Sequence, residues 1–291
     1  MMYEVKHKTV YKYQSPVSLC HNIVFQVGAN NSLQEINSSI CTIDPEPNYM
    51  MEREDFFENK YLYFSVQKVH KNLIVESISQ ITVDQPFWLD IIPSETPTWE
   101  SVVKSLRSID TSNDIRQFYL ESPYVTFLKD IRAYALKSFT PNRPIMEAML
   151  ELNNRIYSDF TFTPGFTEIS TPLEEVFKHK KGVCQDYAHF GLACVRSIGL
   201  SARYVSGYIE TIPPPGKPKL AGADASHAWM SLYIPNVGWV EFDATNNLLV
   251  ADQHIRVAKG RDFSDVVPLK GIVYSGGGQH MDVTVDVTRI G

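Results

Sequence analysis

Residues 182–208 read GVCQDYAHFGLACVRSIGLSARYVSGY, and the rest of the chain is understood outward from them. Gly182 permits a tight backbone approach. The segment CQDYAHFGLACVRS then has helical spacing, with Cys184, Ala188, Leu192 and Val195 three or four residues apart along one side. Cys184 falls in the first turn of that helix. There the unpaired amides and the positive helix end favour thiolate over thiol. Beyond it, SARYVSGYIE, SHAWMSLYIP and GWVEFDATN are short β-compatible runs divided by glycine, proline or polar turns. A helix leading into several strands predicts an α+β core over about residues 125–250.

Upstream of this core, VTFLKDIRAYALKSF carries Val125, Leu128, Ile131, Ala135 and Leu136 at helical spacing, and PIMEAMLELNNRIYS places Pro144 in an initial turn. PLEEVFKHKKG predicts a short helix ending near Gly182. Residues 91–124 read as a connector with one short helix in TWESVVKSLRSI. Residues 1–90 contain VSLCHNIVFQV, YLYFSVQ and LIVESISQITV, whose short, partly alternating apolar runs favour a sheet. NNSLQEINSS and DPEPN supply turns between those strands. The tail, 251–291, ends in MDVTVDVTRI, where Val283, Val285 and Val287 line one side of a strand that needs another sheet, in one arrangement the N-terminal one.

The 291 residues are 44% hydrophobic and 21% charged, in the ordinary range of a folded protein. A net charge of −6 gives no electrostatic reason to bind nucleic acid or an anionic membrane. The N-terminal MMYEVKHKTVYKY interrupts with charges any apolar leader, and no run has the length of a spanning helix, so a soluble cytoplasmic protein is expected. Cysteines 20, 41, 184 and 194 form neither a disulfide framework nor a compact zinc pattern. No metal or other cofactor is expected.

Chemistry concentrates in three residues. His227 stands at the edge of one predicted strand and Asp243 near the end of the next, joined by IPNVG, so a carboxylate could orient an imidazole toward Cys184. Taken singly, each has a structural reading: a buried thiol, a surface or core histidine, a turn-forming aspartate. The segment GVCQDYAHFGLACVRSIGLSARYVSGY, with SHAW and WVEFDATN, closely resembles the transglutaminase-like cysteine-enzyme superfamily, particularly bacterial members with an additional N-terminal β-rich domain. The resemblance implies a papain-like core with Cys184 as nucleophile, His227 as base and acid, and Asp243 as the histidine's orienter. It departs from that group at Ala244, where proline is usual, and at Glu58, where glycine is common.

The implied reaction is hydrolysis of a peptide, protein or small amide through a Cys184 thioester, with the Cys184 backbone amide as one oxyanion donor. Transamidation to an amine acceptor uses the same residues and is the alternative; a non-catalytic protein-interaction module is the other. Asp186 and His189 read as structural supports, since position 189 turns away from Cys184 on a regular helix. Tyr204 and Tyr208 share one face of a strand, Gly207 allows a close backbone passage, and Trp229 and Trp239 read as core or cleft walls. The proline-rich loop before His227, with Lys217 and Lys219, is a candidate acceptor-selecting lip.

Overall fold

The computed structural model describes residues 1–26, 28–108, 111–211, 226–274 and 277–291. Two four-stranded antiparallel sheets face each other in the N-terminal region. The strands are β1 (Met2–Val17), β2 (Leu19–Val24), β3 (Gln34–Asp44), β4 (Tyr49–Glu54), β5 (Lys60–Val66) and β6 (His70–Val83). Two partners from the far end of the chain, β14 (Leu269–Tyr274) and β15 (Gln279–Arg289), complete sheet orders β15-β1-β6-β3 and β14-β2-β5-β4. Between the sheets lie Tyr13, Val17, Cys20, Val24, Phe64, Val66, Leu73 and Val75, a core built by period-two alternation. In β1, Tyr3, Val5, His7 and Thr9 are buried in turn while Lys6 and Lys8 stay toward solvent, so the charges that break any leader-like run also mark one face of a strand.

One expectation is corrected here. NNSLQEINSS is not a turn throughout, because β3 already begins at Gln34. This strand lies at the sheet edge on β6 and is exposed along most of its length, so it satisfies its backbone without needing apolar side chains.

The connector contributes α1 (Trp99–Leu106) and the single turn α2 (Asn113–Arg116). After it come α3 (Lys129–Ala135), α4 (Ile145–Asp159), β7 (Thr161–Phe162), α5 (Leu173–His179), β8 (Lys181–Gly182) and α6 (Cys184–Ser197). Helix α5 stops three residues before Gly182 because Lys180 takes the left-handed conformation at φ 51°, which closes the helix through its amide on Val176 O. Helix α6 is buried on every side from Asp186 to Ser197, so its sequence has no wet face to make it amphipathic.

That helix packs on a five-stranded antiparallel sheet of β9 (Ala202–Ile209), β10 (Ser226–Ile234), β11 (Gly238–Asp243), β12 (Leu248–Leu249) and β13 (His254–Gly260), ordered β12-β11-β10-β9-β13. Arg196, 1% exposed, fixes its C-terminal end by donating to Ala202 O at 2.9 Å, Leu120 O at 3.3 Å and Ser122 Oγ at 3.2 Å. The chain then leaves the core. Strand β14 (Leu269–Tyr274) joins β2 and β15 (Gln279–Arg289) joins β1, with Val285 and Val287 buried and Val283 exposed beyond the core. No described helix is long and apolar enough to cross a membrane.

Candidate active site

Cys184 is the first residue of α6 and is partly exposed, whereas Cys20 and Cys194 are buried; all four cysteines are free. Its position follows from local chemistry. Asp186 turns back so that Oδ2 accepts the Val183 amide at 2.7 Å and the Thr167 hydroxyl at 2.6 Å, fixing the helix start. A side chain at Gly182 would meet that same carboxylate oxygen at 2.4 Å, so the bare backbone lets Asp186 close on the turn. Burial pushes the Asp186 carboxyl up, against the two hydrogen bonds. As the first helical residue, Cys184 keeps an amide with no acceptor inside its helix.

His227 is the second residue of β10 and Asp243 ends β11; the two strands pair antiparallel with Met230 opposite Phe242, which brings their ends together. His227 Nε2 donates to Asp243 Oδ2 at 2.8 Å. That bond occupies Nε2 and leaves Nδ1 as the remaining ring nitrogen. Burial alone would lower the imidazole; Asp243 and Cys184 outweigh it and hold it up at about 10. Asp243 is fully buried, yet its carboxyl is held far below the usual range, because burial is outweighed by hydrogen bonds from His227 and His254.

His254 was not anticipated from the sequence. It is fully buried on β13, and its Nε2 lies 3.1 Å from Asp243 Oδ2 while its Nδ1 has no hydrogen-bond partner among the described residues. Burial pushes its own imidazole down. Asp243 therefore receives two imidazoles and the Asn246 amide at 2.7 Å on Oδ2, and the Thr245 and Asn246 backbone amides at 2.9 and 3.2 Å on Oδ1. The last two bonds make the turn after Asp243, so Ala244 occupies a turn already held by the aspartate. His227, Asp243 and His254 form the one group of potential metal ligands among the described residues. A cation there would have to displace both imidazole N–H donors, and His254 Nδ1 lacks the hydrogen bond that usually orients a ligating histidine.

The remaining candidates divide. His189 is 4% exposed, lies between the Tyr124 and Tyr204 rings, and accepts the Phe263 amide on Nε2 at 3.2 Å; burial lowers it to about 4, so the ring is neutral. Tyr204 is buried, and desolvation, reinforced by Cys184, Asp186 and Asp262, raises its phenol. Tyr208 is engaged elsewhere, 2.7 Å from His7 Nδ1. Trp229 lies 5.9 Å from the His227 ring and 5.1 Å from His254, and gives Nε1 to Glu241 at 2.9 Å. A Cβ at Gly207 would meet Ile255 O at 2.0 Å and the Trp229 ring at 2.6 Å, so the close passage is between β9, β13 and this indole. Lys217 and Lys219, the proposed lip, lie outside the described residues.

A family model of the bacterial transglutaminase-like N-terminal region matches residues 3–82, and one of the transglutaminase-like superfamily matches residues 132–244. The chain belongs to the transglutaminase-like superfamily. An uncharacterized Mycobacterium tuberculosis protein is 37% identical across 98% of this transglutaminase-like chain and 92% of its own. A protein-glutamine gamma-glutamyltransferase of Pseudomonas aeruginosa is 28% identical over 35% of this chain and 15% of its own. A Cytophaga hutchinsonii crystal structure described as a candidate cysteine protease aligns with a TM-score of 0.77 at 19% identity, covering 99% of this chain and 90% of its own. That likeness fixes the transglutaminase-like fold over both the β-rich region and the core.

Proposed function

We propose that the protein hydrolyses peptides or other amides through an acyl group carried on Cys184. What supports this reading is a partly exposed thiol at a helix start together with an imidazole that this thiol helps to raise and whose Nε2 is bound by a buried carboxylate. In the reaction, His227 holds the proton removed from Cys184, and the thiolate attacks the substrate carbonyl. The resulting oxyanion takes a hydrogen bond from the Cys184 amide. Collapse breaks the C–N bond, His227 gives its proton to the departing amine, and a thioester remains. His227 then takes a proton from water, which attacks the thioester and releases the acid and the thiol. Asp243 keeps the ring oriented and charged, and His254 with Asn246 holds Asp243.

A second reading, transamidation, replaces that water with a primary amine, and the likeness to the Pseudomonas aeruginosa glutamyltransferase favours including it. The test is turnover of a casein digest and glutamine peptides with and without dansylcadaverine, followed by mass spectrometry. Hydrolysis predicts new carboxylates lost in Cys184→Ala; dansyl incorporation that depends on Cys184 assigns the amine route. Product formed equally by Cys184→Ala sinks both.

A further inference from the structure

A cavity of about 600 Å³ opens between the core sheet and the N-terminal region, and neither Cys184 nor His227 lines it. Strands β9, β11 and β13 form one wall; the 29–34 segment and the end of the β4–β5 hairpin form the other. Two arginines stand in the sheet wall. The Arg203 side chain has no hydrogen-bond or ion-pair partner among the described residues; its guanidinium lies 4.3 Å from the Trp239 ring centroid, with Nε buried and unmatched. Arg256, 7% exposed, gives Nε to both Glu241 oxygens at 3.0 and 2.9 Å and leaves Nη2 buried and unmatched. Glu241 is also taken by Trp229, so it has little left for Arg203.

Burying guanidinium donors without acceptors is unfavourable, and a site that holds them so is arranged for an acceptor that arrives from outside. Four cationic and three carboxylate side chains line the cavity, an excess of one positive charge. Its other surfaces include Trp88, Trp239, Val205 and Val237. We propose that this cavity binds a small organic monocarboxylate, the carboxylate shared between Arg203 and Arg256 and the apolar body against Trp88 and Trp239. Guanidinium geometry suits a carboxylate's two oxygens, and the single excess charge matches one anionic group. Because Arg256 leads through Glu241 to Trp229 beside His227, occupancy would also be felt at the imidazole.

The test is calorimetric titration of the full chain with acetate, benzoate and phenylacetate, using phenylacetamide as the uncharged counterpart and inorganic phosphate as a second anion. Saturable one-to-one binding of an aromatic carboxylate is expected, with Arg203→Gln weakening it at least about tenfold through loss of a charge-assisted pair. Arg203 has no hydrogen-bond or ion-pair partner among the described residues to lose, only its contact with the Trp239 ring, so this variant should fold; a matching circular dichroism melt checks it, and Trp239→Leu provides a second lining change. Three results would overturn the proposal: no saturation by any of the carboxylates at millimolar concentration, equal binding of phenylacetamide, or affinity unchanged in both variants. Binding of phosphate alone would also overturn it.

Discussion

Replacing Asp243 with asparagine keeps the shape of the side chain and removes its charge. The wild-type carboxylate accepts five hydrogen bonds, three of them on Oδ2 from His227, His254 and Asn246. An amide that keeps its oxygen on the turn amides turns its NH₂ toward those three donors. His227 then loses the main partner that holds it at about 10, and burial pulls it down against Cys184 alone. Only Cys184 then remains to hold the ring up, so a smaller share of His227 should be protonated at pH 8 than in the wild type. In the wild type, a raised imidazole contributes stability that is complete below the unfolded value and lost as pH rises through about 10. The variant lacks that contribution, and its unmatched buried donors should cost about 3–5 kcal/mol in total. Turnover should fall by about 10³–10⁴. The assay is iodoacetamide labelling of Cys184 from pH 5 to 9, read by peptide mass spectrometry, beside urea unfolding at pH 7. Burial raises the thiols of Cys20, Cys41 and Cys194, so they should label slowly. If Cys184 in the variant labels at the wild-type rate with the same pH profile, His227 is not charged by Asp243 and the reasoning fails.

Acid should destabilise the fold through other histidines. Burial holds His7 and His189 at about 4, so stability is complete above about 6.5 and drains away as pH falls toward 4, on the order of 3 kcal/mol per ring at most; His189→Gln should melt lower at pH 7 yet show a flatter decline, and an unchanged slope would count against it. Gly207→Ala places a methyl 2.0 Å from Ile255 O, backbone that cannot swing aside, and should lower unfolding free energy by about 3 kcal/mol or more; wild-type stability in denaturant would show the space to be larger than described. Glu58 has φ 62°, a left-handed conformation, so Glu58→Gly should raise stability by about 0.5–1 kcal/mol despite losing an exposed ion pair with Lys259. A lower melting temperature for that variant would mean the ion pair outweighs the backbone strain.

Helix α6 and the strands after it were legible because their periodicity is local, and so was the neighbourhood of His227 and Asp243, since one hairpin joins them. His254 was not. Its strand enters beside β9, with β9 and β10 between it and β11, and no spacing in ADQHIRV connects it with Asp243. A histidine alternating with an arginine in an otherwise apolar run was the available signal. Strand β3 was hidden for a different reason: an edge strand satisfies backbone rather than side chains, so its polar composition looks like a turn. The polar face of the core sheet, with Arg203, Glu241 and Arg256, was equally invisible, because no local spacing joins three charges carried on separate strands and faced by the N-terminal region.

The pairing of β1 with β15 joins Tyr3 to Arg289, residues nearly a whole chain apart. During synthesis, the first strand emerges with one of its two edges unclaimed until translation reaches that partner. At about 5–20 residues per second this lasts on the order of tens of seconds. Meanwhile the helix bearing Cys184 and most of the core sheet have already left the ribosome. The thiol site can thus begin to assemble while the first sheet still has an open edge, and pairing with another nascent chain competes with its closure.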